Sequence, residues 1–210
     1  MPITRYAKIV MAVCLAVFCL LVAFGNITDY GTNYLAVQHV LSMDTTFAGN
    51  ALTYRSVTSP TAWHICYWLI IAAEAATGIL FLAGAIRLWQ VRHASGAIFN
   101  QSKIYIIAAC LLGFLVWFLG FMVIAGEWFA MWQSATWNFQ EPAFRFSVTV
   151  LAVLIFVNQA DGDLPAAAPI PAAKKPAAEK PAGKAKTTPA KTRAPRRRRI
   201  DKGRRQSDAP

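Results

Sequence analysis

The chain has 210 residues, of which 56% are hydrophobic and 15% charged, with a mean hydropathy of +0.40. Soluble domains carry about a quarter charged residues, so an ordinary soluble domain is excluded and a membrane protein is expected. The net charge of +11 is segregated: from Asn158 onward stand 14 of the 21 Lys and Arg and 5 of the 10 acids, giving the tail +9 and the rest +2.

A spanning helix needs about 20 mainly apolar residues, because lipid offers its backbone no hydrogen-bond partner. The first candidate, Ile9 to Phe24, is short and borrows interfacial residues such as Tyr6; Arg5 and Lys8 precede it. It can also be read as a signal peptide ending at Ala23-Phe24-Gly25, although its apolar run is long for one. Cleavage there would leave three helices in the same orientation.

In the following loop Tyr34, Leu35, Val37, Val40 and Leu41 recur at helical spacing, which predicts a short amphipathic helix on the membrane surface. His39, Asp44 and His64 fall on this side. Imidazole and carboxylate are ordinary ligands of zinc, copper or haem iron, but only if they converge. The plainer expectation is polar residues that tie the surface helix to the bundle, and no cofactor is predicted.

The second span, Trp63 to Ile86, contains Glu74. At 1.5 Å per residue it lies roughly 16 Å below the outer boundary, near the bilayer centre. An ionised carboxylate there costs several kcal/mol, so it is expected to be protonated or to face a polar interior. Tyr67 and Thr77 share its helix face, and Ala72, Ala73, Ala75, Ala76 and Gly78 admit a neighbouring helix closely. The expected role is a packing hydrogen bond; the rival is a proton or substrate path.

Arg87, Arg92 and Lys103 flank the turn to the third span, Ile104 to Ile124. After it come Trp128, Phe129, Trp132 and Trp137, expected at an aromatic belt or a partner interface. The fourth span is Ala143 to Val157, with Arg145 snorkelling at its outer mouth and Asn158 as an interfacial extension. Lys and Arg concentrate on the side holding both chain ends, so both termini are expected in the cytoplasm. Cys14, Cys19, Cys66 and Cys110 all lie within apolar runs and imply no disulfide.

The fold expected is therefore all-α: residues 1–157 as a four-helix transmembrane domain with a surface helix, and 158–210 as a disordered cytoplasmic tail. The tail, rich in Ala, Pro, Lys and Arg, has too little apolar surface to offset chain entropy. Arg196, Arg197, Arg198, Arg199, Arg204 and Arg205 suit anionic lipid headgroups, or nucleic acid without sequence preference, since no aromatic residue accompanies them.

The chain lacks His-Glu-x-x-His, Gly-x-Ser-x-Gly, phosphate-loop and Cys-x-x-Cys signatures. In contrast, Asn26-Ile27-Thr28-Asp29-Tyr30 with Asn33, His39-Val40-Leu41-Ser42-Met43-Asp44-Thr45-Thr46, Arg55, Ser59-Pro60, Glu74 and Gly126-Glu127-Trp128-Phe129-Ala130-Met131-Trp132 form a recognisable set. It resembles a bacterial family of predicted small integral membrane proteins, a domain of unknown function, from about the N-terminus to Val157. The resemblance implies four helices in a bacterial inner membrane and supplies no catalytic assignment. Two functional expectations follow. The first is a non-enzymatic accessory or scaffold subunit with a membrane-protein partner or a second copy of itself. The second is a small transporter using Glu74, or a metal- or haem-linked redox subunit using His39 and His64.

Overall fold

The computed structural model describes residues 2–164, and every described element is helical. Helix α1 spans Pro2–Thr28, α2 Tyr30–Ser42, α3 Pro60–Gln90, α4 Gly96–Gln101 and α5 Ile104–Phe114. A π-helical stretch, Leu115–Trp128, continues α5, and α6 spans Gln140–Asn158. Four helical segments are long and apolar enough to cross a membrane. All exceed their expected lengths, because the polar flanks continue the helix: Arg5, Tyr6 and Lys8 belong to α1, and Asn158 to α6.

Local chemistry sets several boundaries. Ser59 caps α3, its hydroxyl accepting from the Ala62 amide, with Pro60 in the first turn, where its missing N–H costs nothing. Ser95 caps α4 in the same way through the Ile98 amide. Between α1 and α2 only Asp29 intervenes, and its non-helical backbone angles separate the two helices. Met43, in the left-handed region at φ 56°, ends α2.

Small residues set how closely the long helices approach. A Cβ built on Gly78 would lie 2.7 Å from Leu20 Cγ of α1, and one on Gly84 would lie 2.5 Å from Ile106 Cγ1 of α5. Without a hydrophobic drive between helices in lipid, such close packing supplies much of their association. Ala12, Ala16, Cys19, Phe81, Leu88, Ala109, Cys110 and Val150 fill the core. Val17, Leu21, Leu69, Ile79, Leu111, Val148 and Ile155 point outward and remain exposed, as a lipid-facing belt requires.

The bundle has two ends. α1 begins where α6 ends, beside the turn between α3 and α4 (the terminal end). At the other (the crown), α2, the loop from 43 to 59 and the segment from 129 to 139 pack together around Met43, Phe129 and Ala130. Gln133 Oε1 joins the two crown segments, accepting from the Phe47 amide at 3.1 Å and Asn50 Nδ2 at 3.0 Å.

Candidate functional site

Glu74 is buried, 2% exposed, in the crown half of α3. Its Oε2 accepts from Asn26 Nδ2 at 2.7 Å, and the Tyr67 hydroxyl donates to the Asn26 carbonyl at 3.0 Å. Two α3 side chains thus grip one residue near the end of α1. Thr77 shares the buried face as expected, but its hydroxyl donates to Ala73 O of its own helix at 2.7 Å and takes no part in the network.

Beside this network lies a cleft of about 240 Å³, with Glu74, Asn26, Asn33 and Tyr67 as its polar wall. Trp117 and Phe121 of the π-helical stretch and Phe146 of α6 face them. A second hollow, also about 240 Å³, runs on from it under α2. Ala36, Val37, Ile70, Phe121 and Phe139 line both, so the two adjoin across these residues as a partly polar arm and an apolar arm.

A different polar site occupies the terminal end. Lys8 Nζ and Lys103 Nζ each reach the same Asp161 Oδ2 at 2.6 Å. Both also donate to Gln159 O at 2.7 Å, and Lys103 to Asn100 Oδ1 at 2.7 Å. Arg5 donates to Arg92 O, Ala94 O and Gly162 O at 2.9, 2.7 and 2.8 Å, with its guanidinium over the Phe99 ring. Asn100 and Asp161 exchange two bonds of 3.0 Å, and the Gly96 amide donates to Asp163 Oδ1 at 2.7 Å. Gly96 is required there, since a Cβ would lie 2.3 Å from Asp161 O. Burial alone would raise the Asp161 carboxyl, but the hydrogen bonds from Lys103 and Lys8 outweigh it and hold it below the ordinary value.

At the crown, the expected outer-face trio divides. His39 Nδ1 donates to Asp44 at 2.9 Å and its ring stacks on Trp137. His64 shares a 2.7 Å hydrogen bond with the Tyr30 hydroxyl and stacks on Tyr34. Among the described residues no three His, Cys, Asp or Glu side chains gather in a metal-holding group. Arg55 lies over the rings of Tyr54 and Trp128 and donates to the Trp128 carbonyl at 3.3 Å. Trp132 meets Phe47 edge-on.

The family model described as predicted small integral membrane protein (DUF2165) matches residues 4–160. The chain belongs to this family. No curated protein and no solved structure matches it. The family match covers Asn26, Tyr67, Glu74 and the three clasping cations, and stops just before Asp161.

Of the residues expected from the sequence, Glu74 and Tyr67 do meet, through Asn26. The four aromatic residues expected at an interface separate into two kinds. Trp128 and Trp132 are exposed, whereas Phe129 turns inward against Met43 and Ala130, because Ala130 at φ 50° redirects the chain. Trp137 is taken up by His39. Arg145 is exposed, paired with Glu141 one turn earlier. Arg5, Lys8 and Lys103, expected as flanking charges at the membrane surface, are instead buried. Gln159, Asp161, Gly162 and Asp163, which fall in the segment expected as the tail, are bonded to the helical body. The arginines at 196–199, 204 and 205 lie outside the described residues. The one sequence signal for the terminal site was an acid following the last apolar helix, on the side where the cations collect.

Proposed function

We propose that the chain is a non-enzymatic accessory subunit of a bacterial inner membrane, with both termini in the cytoplasm and a crown that contacts an integral membrane partner. One observation carries this reading: the crown holds an ordered, outward-facing aromatic and arginine surface. Tyr54 is 75% exposed and Trp128 53%, with Arg55 over both rings, and Phe47 and Trp132, also exposed, meet each other edge-on. Trp, Tyr and Arg are the residues that dominate binding energy at protein interfaces. Their mutual stacking reduces the entropy lost on docking. Gln133, which joins the two crown segments, and Arg55, which bonds the first of them to Trp128 at the end of the π-helical stretch, hold this surface in shape. The charge of +9 carried from residue 158 onward suits that segment to hold the anionic inner leaflet.

The test is photo-crosslinking in native membranes, with a benzophenone amino acid at Tyr54 and, separately, at Trp132. The expected result is one protein adduct common to both positions and absent when the probe stands at lipid-facing Ile79. Lipid adducts alone at all three positions would overturn the reading.

A further inference from the structure

Three features stand out beyond the crown surface: the terminal clasp, the basic tail and the two-armed cavity beside Glu74. The clasp is internally satisfied, its three cations all bonded to the chain's own oxygens. The cavity is not. Glu74 Oε2 has Asn26, yet among the described residues no donor reaches Oε1, and no Lys, Arg or His lines either arm. A carboxyl group so placed, with no countercharge, faces a space whose other surfaces are largely aromatic. Helix α2 adds a second observation. It roofs both arms through Ala36 and Val37, which are only half-buried there, while Val40 and Leu41 farther along pack against Met43, Phe129 and Ala130.

From this geometry we infer that the cavity is a binding site for a lipophilic amine, with its nitrogen at Glu74 and its apolar body in the arm beneath α2. The polar wall selects the headgroup. Glu74 accepts, and beside its carboxyl group the wall holds only the neutral amides of Asn26 and Asn33 and the Tyr67 hydroxyl, so the charge it can offer a ligand is negative. An anionic head finds no cation here. An ammonium finds a carboxylate and, lining the same cleft, the aromatic rings of Tyr67, Trp117 and Phe121, a ring type whose face attracts cations through its quadrupole. Charge balances by either route: an ammonium meeting the carboxylate, or a neutral amine taking the proton of the carboxylic acid, gives the same ammonium carboxylate pair with no net charge. The apolar arm selects the body, since its wall of Val40, Leu41, Leu69, Ile124 and Met131 presents only hydrocarbon and thioether.

Access is from the bilayer. Phe18, exposed on α1 and stacked on Phe146, lines the polar arm, and Leu69 and Ile124, exposed on α3 and the π-helical stretch, line the apolar arm. Each arm therefore reaches the lipid-facing surface. The π-helical stretch contributes directly: Gly120 lines the apolar arm between Trp117 and Ile124, leaving room where a side chain would fill it. This inference is independent of the crown partner.

The experiment uses the full chain in an uncharged maltoside detergent and follows thermal unfolding against octylamine, octan-1-ol and octanoate. These probes share a chain and differ only in their head. The expected result is saturable stabilisation by octylamine at roughly tenfold lower concentration than by octan-1-ol, and none by octanoate. In Glu74→Gln the preference for the amine over the alcohol should vanish. Ala36→Phe, which fills the cavity where its arms join while keeping Glu74, should lose the response to both. Equal binding of amine and alcohol by the unaltered chain would overturn the inference, as would an amine preference that survives in Ala36→Phe. Either comparison stands even if Glu74→Gln does not fold.

Discussion

Replacing Asp161 with Ala should destabilise the bundle by about 3 kcal/mol, an effect out of proportion to a residue just past the last helix. The figure follows from the terminal site. Asp161 Oδ2 is shared by Lys8 and Lys103 at 2.6 Å, and the three side chains are only 5%, 2% and 3% exposed respectively. Removing one member of a buried ion pair costs about 3–5 kcal/mol, because the charge left behind is neither paired nor hydrated. Here the lower end applies, since Lys8 keeps Gln159 O and Lys103 keeps both Gln159 O and Asn100 Oδ1. Unfolding by SDS titration in mixed micelles reads the difference. Asp161→Asn, which keeps an acceptor and loses the charge, should fall between the two. The triple change of Lys8→Met, Lys103→Met and Asp161→Leu should recover to within about 1 kcal/mol of the starting chain, as buried ionic groups replaced by apolar ones commonly do.

The pH dependence has a definite sign. The folded Asp161 carboxyl is held below its ordinary value of 3.8, so its contribution is present above that value and is lost as pH falls through the folded one. The starting chain should therefore lose stability on acidification below about pH 4, and the Asp161→Asn curve should lack that component. An Asp161→Ala variant within 1 kcal/mol of the starting chain at neutral pH would refute the clasp as a source of stability.

Ending the chain after Asp163 should leave insertion and unfolding unchanged while weakening binding to anionic vesicles in a salt-dependent way, whereas ending it after Val157 should destabilise the bundle as Asp161→Ala does; sedimentation with vesicles and SDS titration separate the effects. Gly84→Ala should cost about 1–3 kcal/mol by the same titration, because its Cβ would stand 2.5 Å from Ile106 Cγ1 and 3.1 Å from the Ile106 amide nitrogen, forcing α3 and α5 apart. Glu74→Gln should be nearly silent in stability, since a glutamine oxygen can accept from Asn26 as the carboxylate does, while Glu74→Leu should cost about 0.6–1.7 kcal/mol. A large loss in Glu74→Gln would show that the charge itself holds the helices.

The long helices were legible because hydrophobic length is a local, additive signal, and the surface helix because its apolar spacing is periodic. Glu74 stood out for the same reason, as a carboxylate where the surroundings are hydrocarbon. Its partner did not: Asn26 lies 48 residues away, at a helix end where polar residues are unremarkable. The terminal site was hidden more deeply. Asp161 sits 153 residues from Lys8 and opens a stretch whose composition is that of a tail, and Arg5, Lys8 and Lys103 have an ordinary explanation as orientation signals. Nor does composition separate Phe129 from Trp128, since only the left-handed backbone at Ala130 decides which ring turns inward.

The two polar sites bear opposite imbalances, and the contrast bears on what Glu74 is for. At the terminal end, buried cations are answered by a carboxylate and by backbone carbonyls drawn from a segment that bends back to supply them. This sequence can therefore neutralise buried charge where stability requires it. Beside Glu74 it does not, although one basic residue among those lining the cleft would suffice. If packing were the only task, a glutamine would make the same bond to Asn26 without the cost of a carboxyl group in a membrane interior. What distinguishes glutamate from glutamine at that position is the ability to exchange a proton and to hold a cation. A variant that keeps its stability and loses its amine preference would therefore isolate the part of Glu74 that packing does not use.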